Sequence, residues 1–171
     1  MLIQSREQIR ELRVRIREAA SCARNNLLRV VSEDRAAVEV LRELHFHHVG
    51  RHIFDTSPMN LMAQVTETFA WLTALRAVQI LFDLRPDVAQ YKLCPGCAGR
   101  GPDIQSSPPG QVAVETFAQI DPNDGKLRKD IVRLRNVTAR QKYVFFHRPA
   151  LPEGRQSQWD ENGVEVWSVE V

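Results

Sequence analysis

Apolar residues recur at Ile9, Leu12, Ile16, Ala19 or Ala20, Ala23, Leu27 and Val30. Steps of three and four predict one amphipathic helix from Ser5 to about Val31, with a coiled-coil-like seam that needs a partner from this chain or a second copy. Ser5 is the expected N-cap. On the outer face Arg6, Arg10, Arg13, Arg17 and Arg24 interleave with Glu7, Glu11 and Glu18, the pattern of a solvated surface with i,i+4 pairs. A second helix is expected after Ser32 as N-cap, with Glu33 and Asp34 opposing its positive end and Val38, Leu41, Leu44 and Phe46 as its apolar side. Asp55-Thr-Ser-Pro58 predicts a third start, with Thr56 or Ser57 capping and Pro58 in the first turn of a helix that runs to about Leu84. That helix is apolar nearly all round, as a helix buried on most sides must be. Glu67 breaks an arc of Ala63, Ala70, Trp71, Ala74 and Val78. An unpaired buried carboxylate is costly, so Glu67 must pair with Arg76 or another arginine, take a proton, or face a metal.

Beyond residue 100 the period changes from helical to extended. Gly101-Pro-Asp-Ile predicts a short extended piece carrying Asp103, and Ser106-Ser-Pro-Pro-Gly110 a tight connection. From Gln111 to Ile120 residues alternate, with Val112, Val114, Thr116, Ala118 and Ile120 on one face and Ala113, Glu115, Phe117 and Gln119 on the other. Asp121-Pro-Asn-Asp-Gly125 is turn chemistry. The helix after it buries Leu127, Ile131 and Leu134 and carries Lys126, Lys129 and Arg133 on an adjoining face. Tyr143-Val-Phe-Phe146 suits a strand covered on both sides, and Val164 to Val171 a terminal edge strand. The pattern is α/β: an N-terminal helical arm over 1–55 and an α/β domain over 56–171.

Composition narrows this reading. With 171 residues, 43% hydrophobic and 26% charged, the chain can bury a core and is not a disordered protein. A net charge of +2 carries no argument for nucleic acid, but Asp121 to Arg148 holds eight lysines and arginines against three acids, a local +5 that attracts phosphate. Three cysteines without an apolar leader point to a reducing, cytoplasmic setting. No apolar run approaches the length of about 18 residues that a membrane span needs. His48 and His52 are four apart, yet Gly50 intervenes and no acid stands as in a zinc protease motif. Cys94-Pro-Gly-Cys97-Ala-Gly-Arg-Gly101 resembles one repeat of the Cys-x-x-Cys-x-Gly-x-Gly zinc modules of some chaperones. Tetrahedral zinc needs four ligands, so this one pair would need histidines to complete it.

A helix with Glu67, then Gly-Pro-Asp103-Ile, Val-Ala-Val-Glu115, a basic helix and Tyr-Val-Phe-Phe146 resembles the PD-(D/E)xK restriction-endonuclease-like superfamily from about Ser57 to Arg148. The resemblance implies a mixed central sheet flanked by helices. It also implies one or two Mg²⁺ (or Mn²⁺) ions on Asp103 and Glu115 from adjacent strands, with Glu67 as a third, helical acid. Hard oxygen ligands suit such an ion, which stabilises charge on a scissile phosphate. The implied activity is hydrolysis of DNA phosphodiester bonds. Phe117 stands where the family has its lysine, two residues after the glutamate. Lys126, in the first turn of the next helix, is the favoured substitute, with Lys129 and Gln119 behind it. The alternatives are a catalytically silent DNA-binding or interaction subunit and a small zinc-stabilised adaptor on Cys94 and Cys97. The N-terminal seam suggests a homodimer.

Overall fold

The computed structural model describes residues 1–96, 101–118, 124–149 and 151–171. In chain order they form β1 (Leu2–Ile3), α1 (Arg6–Ser32), α2 (Ala37–Phe46), β2 (Gly50–Arg51), β3 (Pro58–Met59), α3 (Leu61–Leu84), β4 (Tyr91–Leu93) and β5 (Ile104–Ser106). There follow β6 (Val112–Ala118), α4 (Asp124–Arg135), β7 (Gln141–His147), β8 (Gly154–Arg155), a 3-10 turn (Ser157–Trp159) and β9 (Val164–Ser168). Two compact units result, Met1–Ile9 with Ala70–Val171, and Arg10–Phe69. The boundaries of these units fall within α1 and α3, and β1 takes the start of the chain into the sheet.

The first unit holds a mixed seven-stranded sheet in the order β1-β4-β5-β6-β7-β9-β8. Strands β1, β4, β5 and β6 pair antiparallel, while β6–β7 and β7–β9 are parallel. A parallel pair needs a crossover, and α4 supplies it between β6 and β7. It lays Leu127, Ile131 and Leu134 on Ala113, Val144, Phe146, Val164 and Val166. Because β6 lies inside the sheet and is covered on both faces, Val112 to Thr116 are all buried, not only one alternating face. Tyr143 to Phe146 are buried on both sides, as expected. The terminal strand β9 is not an edge: β8 pairs beyond it. Between β5 and β6 the Ser106 hydroxyl accepts the Gln111 and Val112 N–H groups at 3.2 and 3.1 Å and donates to the Pro108 carbonyl at 2.9 Å. The part of α3 in this unit buries Thr73, Ala74, Leu75, Ala77, Val78 and Leu81. Ser5 caps α1 as expected, accepting the Gln8 N–H at 3.3 Å.

In the second unit the α1 seam is buried at Leu12, Ile16, Ala19, Ala23 and Val30, with Leu27 half-buried. Two starts differ from expectation. Ser32 ends α1, its hydroxyl donating to the Leu28 carbonyl at 2.6 Å, and α2 begins at Ala37 after Ala36, an N-cap with no side-chain bond. None of α2 is buried; Val38, Leu41 and Phe46 are exposed. Asp55 to Ser57 is a turn: Asp55 Oδ1 accepts the Ser57 N–H and hydroxyl at 2.9 and 2.7 Å, Thr56 adopts φ 60°, and Pro58 enters β3. The cap of α3 is Asn60, whose Oδ1 accepts the Ala63 N–H at 2.8 Å. Its first turns leave Met62, Val65 and Phe69 exposed, so α3 is not buried all round. A Cβ at position 50 would lie 2.2 Å from Gln64 Oε1, the atom that accepts the Arg51 N–H at 2.8 Å, so any larger residue than Gly50 must displace that side chain. Among the described residues no helix is long and apolar enough to cross a membrane.

Candidate functional site

In the antiparallel ladder of β5 and β6, Ile104 faces Val114 and Gln105 faces Ala113. Carried on by one residue beyond the start of β5, that register brings Asp103 level with Glu115, whose carboxyl feels the Asp103 charge. Thr116 fixes Asp103 further: its N–H and hydroxyl donate to Asp103 Oδ2 at 2.8 and 3.1 Å, and the Gly96 N–H donates to Oδ1 at 3.2 Å. Glu115 is fully buried.

Above this pair α4 places Lys126, Asp130 and Arg133 at i, i+4 and i+7, one stripe of the helix. Arg133 Nη1 donates to Glu115 Oε2 at 3.2 Å and Nη2 to the Gly101 carbonyl at 2.6 Å. Its Nε lies 3.2 Å from Glu115 Oε1, near enough for an ion pair but not aligned as a hydrogen bond, and that oxygen has no other donor among the described residues. Burial pushes the Glu115 carboxyl up to about 8; the Asp103 charge adds to the rise, and the Arg133 guanidinium opposes it. Both oxygens of buried Asp130 lie 2.5 Å from Lys126 Nζ. Burial also holds the Asp130 carboxyl above its ordinary value, with the Lys126 ammonium pulling the other way. Lys126 Nζ sits 5.4 Å from the centroid of the Phe117 ring, which stacks on Phe146 at 5.4 Å.

Asp103, Glu115 and Lys126 are therefore brought together. Lys126 reaches over the phenylalanine that occupies the expected lysine position. Lys129 is exposed and has no hydrogen bond or ion pair among the described residues, and Gln119 lies outside those residues. Glu67 belongs to the Arg10–Phe69 unit. There its Oε1 is 3.0 Å from His52 Nε2, while His52 Nδ1 is 2.9 Å from Asp55 Oδ1. Arg76 Nε donates to Glu153 at 2.8 Å. His48 and His52 share no helical face, since α2 ends at Phe46. Cys94 is disulfide-bonded and Cys22 is a free thiol, so Cys94 offers no thiolate to zinc, and Cys97 lies outside the described residues. Sequence reasoning missed Asp130. Projection at 100° per residue sets it beside Lys126 and Arg133, but only its burial distinguishes it from a solvated i,i+4 pair.

No family model, curated protein or solved structure matches the chain.

The pair fits a hard divalent cation in donor chemistry, and the underbonded Glu115 Oε1 is the kind of buried oxygen that such an ion satisfies. Among the described residues no three His, Cys, Asp or Glu side chains are grouped to hold a metal. Asp130 is engaged by Lys126. The protein's own ligands would be Asp103 and Glu115, with water completing the shell.

Proposed function

We propose that this chain is a metal-dependent endonuclease that hydrolyses DNA phosphodiester bonds on a restriction-endonuclease-like fold. The observation that carries the reading is the register that brings Asp103 level with Glu115, with the Lys126 ammonium arriving from the next helix over Phe117. The element order supports it: α3, the Asp103 strand, the Glu115 strand, α4 and the apolar β7. Bound Mg²⁺ or Mn²⁺ would neutralise charge developing on the scissile phosphate and lower the pKa of a bound water. Asp103 and Glu115 would hold it, the first oriented by Thr116 and the second, whose proton the cation would displace, hydrogen-bonded by Arg133. Lys126 would hold a phosphate oxygen at the site. The basic stretch from Lys126 to Arg148 would draw the DNA backbone, with affinity that falls as salt rises.

A second reading rests on a specific contact. Arg133 already neutralises Glu115, as an internal counter-ion does in a silent site that only binds. Supercoiled plasmid with Mg²⁺ or Mn²⁺ separates the two. Cleavage by the wild type, lost in Asp103→Ala and Glu115→Ala and slowed in Lys126→Ala, supports the nuclease. DNA binding without cleavage in any preparation selects the silent form. Cleavage that survives in both carboxylate variants removes the site.

A further inference from the structure

A lysine on a helix carries its ammonium at the end of a flexible four-carbon stem, so reaching a site is not enough to hold it there. We propose that Asp130 is a positioning residue that, with the face of Phe117, locks the Lys126 ammonium beside Asp103 and Glu115, in place of the strand lysine that Phe117 displaces.

The contact is unlike an ordinary i,i+4 surface pair, in which both ends are solvated and the geometry is loose. Here both Asp130 oxygens meet Nζ at 2.5 Å, and the acid side chain is 5% exposed against 43% for the lysine. The anchor is set by the core. Leu127, Ile131 and Leu134 fix α4 on β6, β7 and β9, and Phe117 is braced by Phe146. The ionisable groups around Asp130 are Lys126, Asp103, Arg133 and Glu115. A buried aspartate in mid-helix is a poor choice for stability alone, because aspartate is a weak helix former and burial penalises its charge. Residues kept against stability mark places where function sets the choice. The use of the ammonium on phosphate rests on the nuclease reading. The lock itself does not.

Amine acylation of the full chain, read by mass spectrometry, tests the lock without any activity. The chain has four lysines, Lys92, Lys126, Lys129 and Lys142, and exposed Lys129 on the same helix is the internal standard. Lys126 is expected to react several-fold more slowly than Lys129 in the wild type. In Asp130→Asn, which keeps the shape of the side chain, the two should react alike, and Phe117→Leu should give a smaller rise. A slowly exchanging Lys126 ammonium signal in the NMR spectrum of the wild type is the same test without a variant. Equal reactivity of Lys126 and Lys129 in the wild type, or no change in a folded Asp130→Asn, overturns the proposal. At saturating divalent cation, plasmid cleavage by Asp130→Asn should fall about tenfold or more with the half-saturating metal concentration unchanged. A lock without cleavage by any form leaves this inference standing and removes the nuclease. Cleavage by Asp130→Asn at the wild-type rate overturns the inference and leaves the nuclease.

Discussion

Glu115 and Glu67 are glutamates of similar appearance in the sequence, each set among apolar neighbours, and the two regions that hold them treat them differently. Glu115 lies on an interior strand covered on both faces, and four ionisable side chains, Asp103, Asp130, Lys126 and Arg133, act on its charge. Glu67 lies on a helix whose own neighbours Met62, Val65 and Phe69 are exposed, and the partner identified for its carboxylate is His52, from the short β2–β3 connection. Burial of an acid among apolar residues is thus a weak sign of chemistry. Convergence of several charges from different elements on one acid is a stronger one.

The largest expected difference between the two regions is in cleavage. Glu115→Gln should bring DNA cleavage below detection, while Glu67→Gln should leave the wild-type rate. A loss at Glu67 as deep as at Glu115 would place both acids in one reaction and break the comparison. Stability should run the other way: at neutral pH and in the absence of divalent cations Glu115→Gln is expected to raise stability by about 1 kcal/mol, since an amide fits the buried position without the proton uptake that burial imposes on the carboxyl. Thermal melting checks it.

The pH profile sharpens the same contrast. Burial raises the folded-state carboxyl of Glu115 to about 8 from an ordinary 4.5, so the folded protein binds the extra proton across that window. The stability this provides is full below pH 4.5 and is lost as pH rises through about 8. Metal-free wild type should therefore lose stability between those values, and Glu115→Gln should lose less. A difference between the two that does not vary with pH would remove the account of Glu115. The smallest effect concerns the helical region. Asn60→Ala should cost about 1 kcal/mol through the α3 cap, whereas Ser57→Ala touches only the turn and should cost less.

The helices and the sheet that carry the site were largely legible because period is a local signal. The α1 seam, the α4 triplet Leu127, Ile131 and Leu134, and the buried run at Tyr143 to Phe146 lie where spacing put them. Starts and edges were not, because competing local bonds decide them. Asp55 binds Ser57 and makes a turn of what reads as a cap, and Ser32 bonds back to Leu28. The position of β9 inside the sheet depends on β8, a pairing of residues far from its own pattern. At the site, Asp103 and Glu115 were legible as carboxylates on neighbouring strands. Asp130 was not, since Lys-x-x-x-Asp on a helix has the form of any solvated i,i+4 pair until the helix is laid on the sheet and the acid is buried.

Binding of Mn²⁺, followed by electron paramagnetic resonance at neutral pH, tests the central claim most directly. The account predicts stoichiometric binding by the wild type that is lost in folded Asp103→Asn and Glu115→Gln and retained in Glu67→Gln. Undiminished binding in the first two, or its loss only in Glu67→Gln, would contradict it.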